Sequence, residues 1–164
     1  TLTIMGTIIT AATIMAMYIN SSSNLNSQYC YNAEMENGRI KTMYVYDKVG
    51  ESLSGKLEYR YEYDNQGRVT VKETYRRNAR TGRMTPESRL TFTYTVNGYT
   101  LERSLWNGTT KTFDRADSRT DYRKETSGIM SVTAYSLDKD GSTNSVTDNF
   151  LIIMTKDEGL MADF

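Results

Sequence analysis

The stretch Lys56–Tyr75, KLEYRYEYDNQGRVTVKETY, limits what this chain can fold into more than any other. Leu57, Tyr59, Tyr61 and Tyr63 occupy one side of a period-two chain, and Lys56, Glu58, Arg60 and Glu62 occupy the other. A helix would scatter those tyrosines around its circumference, so the alternation predicts a half-buried β-strand. Asp64-Asn65-Gln66-Gly67 supplies a turn, because Asp and Asn bond nearby amides and Gly takes a positive φ without a Cβ clash. Val69, Val71 and Tyr75 resume the alternation, which completes a β-hairpin.

Looser copies of this hairpin recur along the chain. Turn signals centre on Gly38, Gly67, Gly98, Gly128 and Gly159, spaced 29, 31, 30 and 31 residues apart. Strand-like runs precede them at Gln28–Met35, Lys56–Tyr63, Arg89–Val96, Asp121–Glu125 and Asn149–Thr155. Others follow the first four at Ile40–Tyr46, Val69–Arg76, Thr100–Trp106 and Ile129–Leu137. Between hairpins, Asp47–Gly55, Arg77–Ser88, Asn107–Thr120 and Asp138–Asp148 are rich in Gly, Ser, Thr, Asn and Asp and read as surface connections. The expected fold is all-β: an antiparallel meander of five tandem hairpins in one domain over residues 25–164, forming a wide sheet that twists, curls or closes.

Residues 1–24 read differently. Thr1–Ile19 carries no charge and runs into the polar block Asn20–Asn24, the pattern of the apolar core and exit of a secretory signal peptide. This leader is expected to be helical where it is present and removed on export. A retained membrane anchor is the alternative, weakened by Gly6 and five threonines in the run.

Composition excludes several chemistries. Twenty basic residues balance twenty acidic ones, so no basic excess is available for nucleic acid or for anionic membrane surfaces. The chain has no histidine and one cysteine, Cys30, which removes histidine-based triads, cysteine zinc clusters and any internal disulfide. Cys30 itself reads as a small buried hydrophobe. No cofactor, metal site or catalytic residue is expected.

Three features were weighed as sites. Glu58, Glu62 and Glu73 could serve a carbohydrate-active enzyme, but each alternates with Lys or Arg, and ion pairing on a solvated face explains them. Asp138-Lys139-Asp140-Gly141-Ser142 resembles the first half of a calcium loop but lacks a closing acid, so an ordinary turn is expected. The aromatic set Tyr44, Tyr46, Tyr59, Tyr61, Tyr63, Tyr75, Phe92, Tyr94 and Trp106 could line one concave binding face. The competing reading makes these residues the core of a thin sheet, with hydroxyls at its rim.

Two resemblances are carried by particular residues. Tyr63-Asp64-Asn65-Gln66-Gly67-Arg68-Val69-Thr70 resembles the YD repeat of Rhs-type and insecticidal-toxin shells, which implies an extended curling sheet and lends no catalytic residue. The leader, Tyr31-Asn32 with Gly38, the Tyr63-Asp64…Gly67-Arg68 turn and Leu105-Trp106-Asn107 together resemble small secreted Bacteroides proteins grouped as domain of unknown function 3836. That resemblance implies an exported bacterial protein, periplasmic or at the cell surface, without an assigned activity. The functional expectation is a non-enzymatic binding or structural module at the cell envelope, in contact with a protein or glycan. A self-assembling sheet protein is the alternative.

Overall fold

The computed structural model describes residues 9–24, 27–126 and 128–153. One helix, α1 (Ala11–Ser22), precedes ten strands: β1 (Tyr29–Glu36), β2 (Arg39–Val49), β3 (Ser52–Tyr63), β4 (Val69–Arg77), β5 (Met84–Thr95), β6 (Gly98–Asn107), β7 (Thr112–Phe113), β8 (Ser118–Thr126), β9 (Ile129–Leu137) and β10 (Thr143–Ile153). They form a single antiparallel sheet in the order β1-β2-β3-β4-β5-β6-β8-β9-β10, with the short β7 paired to β6 off this path. The expected meander is therefore present. Its sheet is open rather than closed into a barrel.

The strands are longer than the alternation alone predicts. Expected connections at Asp47–Gly55, Arg77–Ser88 and Asp138–Asp148 shrink to tight tips, because much of each is extended and paired, while Asn107–Thr120 stays a longer excursion that carries β7. Ser52, Leu53 and Ser54, for example, pair with Val49, Lys48 and Asp47. Small polar residues are weak strand formers in isolation, but a paired neighbour overrides that preference. Pro86 lies inside β5 for a related reason. It sits beside a bulge at Glu87, and β6 pairs with β5 only from Ser88 onward, so the missing N–H breaks no ladder there.

The glycine turns form one row of tips. Asn37 and Gly38 both take positive φ, as a two-residue hairpin turn with the twist of its strands requires. At the next tip, Asp64 Oδ1 accepts from the Gln66 and Arg68 amides at 2.9 Å each, and the Gly67 amide donates to the Asp64 carbonyl. The opposite row repeats this chemistry. Asn78 and Asn107 each turn a side-chain oxygen onto two amides of the following residues. Asp138–Ser142, the half calcium loop, closes with the same backbone bonds as Asp64–Arg68. Its Asp140 carboxylate bonds Ser142 of the same turn. The expected fifth hairpin is described only as far as Ile153; its turn at Gly159 lies outside the described residues.

Helix α1 starts where Thr10 accepts a bond from the Thr13 amide, and it ends in the run Ser21–Ser23, whose Ser22 hydroxyl bonds back to the Tyr18 carbonyl. Just before it, Ile9 and Thr10 add to the sheet at the second tip. The Val69 amide donates to the Ile9 carbonyl and the Ala11 amide to the Gly67 carbonyl, both at 2.8 Å. The helix lies over β1 and β2, and its Ile14 enters a core with Ile40, Met43, Tyr61, Val69, Phe92 and Tyr99. Residues 9–24 of the leader are thus packed against the domain, while residues 1–8 lie outside the described residues. No helix among the described residues is long and apolar enough to cross a membrane.

Candidate contact surfaces

Cross-strand partners share a face, so the pairing register assigns every side chain to one of two sheet faces. On the helix face, Met43 pairs with Tyr59, Tyr63 with Val69, Phe92 with Leu101 and Tyr94 with Tyr99. On the open face, Tyr44 pairs with Glu58, Glu58 with Tyr75, and Cys30 with Tyr46. The nine aromatic candidates therefore do not line one surface. Tyr59, Tyr61, Tyr63, Phe92 and Tyr94 lie on the helix face, whereas Tyr44, Tyr46, Tyr75 and Trp106 lie on the open face. Tyr44, Tyr46 and Trp106 are set there by the register of β2 and β6, and Tyr75 by the bulge at Thr70. Glu62 pairs with Val71 but Tyr63 pairs with Val69, so one extra residue moves Tyr75 across the sheet from Val69.

On the helix face, a clasp joins each of the first two turns to the following hairpin. The Tyr63 hydroxyl donates to the Ile40 carbonyl at 2.7 Å, and the Arg39 guanidinium lies 5.7 Å from the Tyr63 ring centre. One repeat later, the Tyr94 hydroxyl donates to the Val69 carbonyl at 2.6 Å, with Arg68 4.4 Å over its ring. The recurring Gly-Arg-apolar triplet thus has a physical role: the carbonyl of the apolar residue anchors the next hairpin's tyrosine, and the arginine covers it. Burial pushes the hydroxyls of Tyr63 and Tyr94 up to about 12, and raises those of Tyr61 and Tyr99 as well. Lys72 stands on this same face with its ammonium 4.3 Å over the Tyr59 ring, and desolvation lowers its pKa.

The open face carries a ladder of charges and rings. Arg60 bonds Glu58 at 2.6 Å and lies 4.0 Å over Tyr75. The Tyr75 hydroxyl donates to Glu73, which also accepts from Arg89 at 2.6 and 2.9 Å. Arg89 in turn covers Phe113, whose ring meets Trp106 edge-on at 5.1 Å. Further along, Asp121 accepts from Thr100 and from Arg119. Two of the three weighed carboxylates, Glu58 and Glu73, are therefore held by arginines, while Glu62 is exposed. Beside them lies a wide, shallow depression of about 410 Å³ lined by Glu34, Lys41, Tyr44, Glu58, Arg60 and Glu73 among others. Cys30 is half-buried on this face rather than in the core. No metal-binding cluster of acids and cysteine occurs among the described residues.

Sequence periodicity alone did not connect residues 23 to 25 positions apart, as the two tyrosine clasps do. The available signal was the recurrence of Gly-Arg before an apolar residue at Gly38-Arg39-Ile40 and Gly67-Arg68-Val69.

Residues 1–124 match the family of unknown function DUF3836. The chain belongs to this family. A DUF3836 family protein from Bacteroides vulgatus is 25% identical with a TM-score of 0.51, and the match covers 53% of this chain and 89% of that one. A protein of unknown function from Bacteroides fragilis superimposes with a TM-score of 0.65 at 22% identity, covering 79% of this chain and 95% of that one; at that identity the likeness speaks for the fold alone. No curated protein matches the chain.

Proposed function

We propose that this DUF3836 chain is a non-enzymatic contact module, exported to the cell envelope, whose sheet engages a protein rather than a glycan. The observation that carries this reading is the capping of four of its rings by its own cations, three on the helix face and Tyr75 on the open face. Lys72 covers Tyr59, Arg39 covers Tyr63, Arg60 covers Tyr75 and Arg68 covers Tyr94. A sugar ring stacks on a bare aromatic face, and these faces are occupied. A protein partner can instead use exposed strand edges and the mixed charges of the open face. Enzymatic hydrolysis of a glycan would need two carboxyls facing one bond, whereas Glu58 and Glu73 are each committed to an arginine. The uncharged leader supports export.

The test is capture from a Bacteroides envelope extract by the purified full chain, run beside a glycan array. Specific protein capture, weakened by Arg60→Glu, and an empty glycan array are expected. Failure to capture any envelope protein, with no self-association, would sink the proposal. Fractionation of tagged protein checks the location; retention of the whole population in the cytoplasm would remove the export reading. A second reading, self-assembly through the sheet, is favoured by one specific feature, the last strand.

A further inference from the structure

The two edge strands of the sheet differ in protection. An edge strand leaves alternate backbone N–H and C=O groups pointing outward, and proteins blunt such edges with charge, proline, bulges or a covering element. β1 carries Glu34 and Glu36 and has α1 packed against it. β10 has no Lys, Arg or Pro, one acid (Asp148), and no strand on its outer side among the described residues.

Bulges protect only half of β10. Its register against β9 shifts between Thr143 and Ser145 and again between Val146 and Asp148, then runs without interruption from Asp148 to Ile153. That regular half is the apolar half. Phe150 and Ile152 pair with Val132 and Met130 and so share their face, while Leu151 and Ile153 point to the other. Phe150, Leu151 and Ile153 are 47%, 59% and 64% exposed. Within that half, Asn149–Ile153 is regularly paired to β9, uncharged and apolar on both faces, beside an outer row of backbone groups that no described strand pairs. A second strand can pair such an edge, and with no charge of its own Asn149–Ile153 favours an equally apolar strand over a charged one, which the same segment of a second copy supplies.

We propose that Asn149–Ile153 is a strand-addition site for the same segment of a second copy, paired antiparallel about Leu151. In that register Phe150 meets Ile152 of the second copy on one face, and Leu151 meets its own counterpart on the other. Both sheets then join into one, with each α1 far from the junction over β1 and β2. A self-paired edge is isologous and closes at two copies, so the product is a dimer and not a fibre. This proposal rests on the self-assembly reading above and supplies its interface.

The full chain, measured by size-exclusion chromatography with light scattering across a concentration series, is expected to show twice the 18.7 kDa chain mass. Leu151→Lys halves that mass, while Asn32→Lys on β1 leaves it unchanged. Far-UV circular dichroism checks that Leu151→Lys folds, and Asn149→Lys charges the same edge through a solvent-facing polar position should it not. In a Cys30→Ser background, Leu151→Cys forms an intermolecular disulfide under mild oxidation, whereas Ser145→Cys in the bulged half does not. A monomeric wild type overturns the proposal, including the case where slow amide exchange in β10 shows that the chain's own residues cover the edge. A dimer insensitive to both lysine variants, or cross-linked through Ser145→Cys instead, overturns it equally. The contact reading fails separately: a dimer that captures no envelope protein leaves this interface standing, and a monomer that captures one removes the interface alone.

Discussion

The two faces of this sheet use the same residue types to opposite ends. On the helix face, tyrosines are buried side by side, their hydroxyls directed to backbone carbonyls and their rings closed by a helix and by cations. On the open face, the tyrosines carry carboxylate partners, as Tyr44 does with Glu34 and Tyr75 with Glu73. The difference teaches that tyrosine content says little about a binding surface. What matters is whether the hydroxyl ends on a carbonyl inside the fold or on a charge at its surface.

The sharpest way to break this comparison is truncation on each face. Tyr61, 7% exposed within the core under α1, should lose about 3–5 kcal/mol on Tyr61→Ala, the range for removing a buried aromatic. Tyr44→Ala should cost about 1 kcal/mol, the worth of one hydrogen bond to a charged partner near solvent. Urea unfolding with a shared m-value measures both. Equal losses would mean that the open face is as much core as the helix face.

Proton titration tests burial next, since burial raises Tyr44 and Tyr75 of the open face as well as the clasped tyrosines of the helix face. Tyr63 and Tyr94 ordinarily ionise at 10.0, and burial raises each to about 12 in the folded protein. A raised folded pKa means that the native state holds its proton more tightly. The stability it contributes is complete below pH 10 and is lost as pH rises toward 12. Tyr61 and Tyr99 are shifted in the same direction. Tyr29 moves the other way, because its hydrogen bond from Lys56 favours the phenolate. Absorbance of tyrosinate should therefore rise in two steps, with the later step coincident with loss of far-UV signal. A single step near pH 10 with the fold intact would show that the clasped tyrosines are accessible.

How much of this was legible in the sequence depends on the range of the interaction. The Lys56–Tyr75 hairpin, the glycine tips at Gly38, Gly67, Gly98 and Gly128, and the meander follow from alternation and turn chemistry, which are local, whereas the sheet's staying open does not. The two-face split was not legible, because inter-strand register places Tyr44, Tyr46 and Trp106, and Thr70 carries no mark of the bulge that turns Tyr75. Cation capping was hidden too. Arg60 reaches Tyr75 and Arg89 reaches Phe113 from neighbouring strands, and only the register decides such meetings. Composition alone makes loops of the second row of tips, whereas Asn78, Asn107 and Asp138 cap four- or five-residue turns that only the backbone bonds reveal.

The ion ladder of the open face predicts a smaller effect. Glu73 is mostly covered while Arg89 is more than a third exposed, so solvent screens part of their attraction. A double-mutant cycle with Glu73→Gln and Arg89→Met should give a coupling of about 0.5–1 kcal/mol, reduced in high salt. Substitution of both together should cost less than the sum, since neither charge is then left alone. Coupling of several kcal/mol would place the open face in a dry environment and bring it closer to its counterpart.

The smallest effect tests whether the second row of tips is built like the first. In the Asn78 tip the position of positive φ is held by Gly82, with its amide donating to the Asn78 carbonyl. The equivalent bond in the Asn107 tip comes from Lys111, which holds φ at 58° with a full side chain. A non-glycine residue in that region carries steric strain, whereas glycine carries more freedom in the unfolded chain, and the two terms oppose each other. Relief of strain should exceed the entropy lost, so Lys111→Gly is expected to stabilise by about 0.5 kcal/mol, and Gly82→Ala to destabilise by about 1 kcal/mol. Lys111 is exposed and forms no ion pair among the described residues, so loss of its charge should not mask the change. Opposite signs at these two positions would establish the tips as one repeating device; equal signs would show that the Asn107 tip owes its shape to β7 instead.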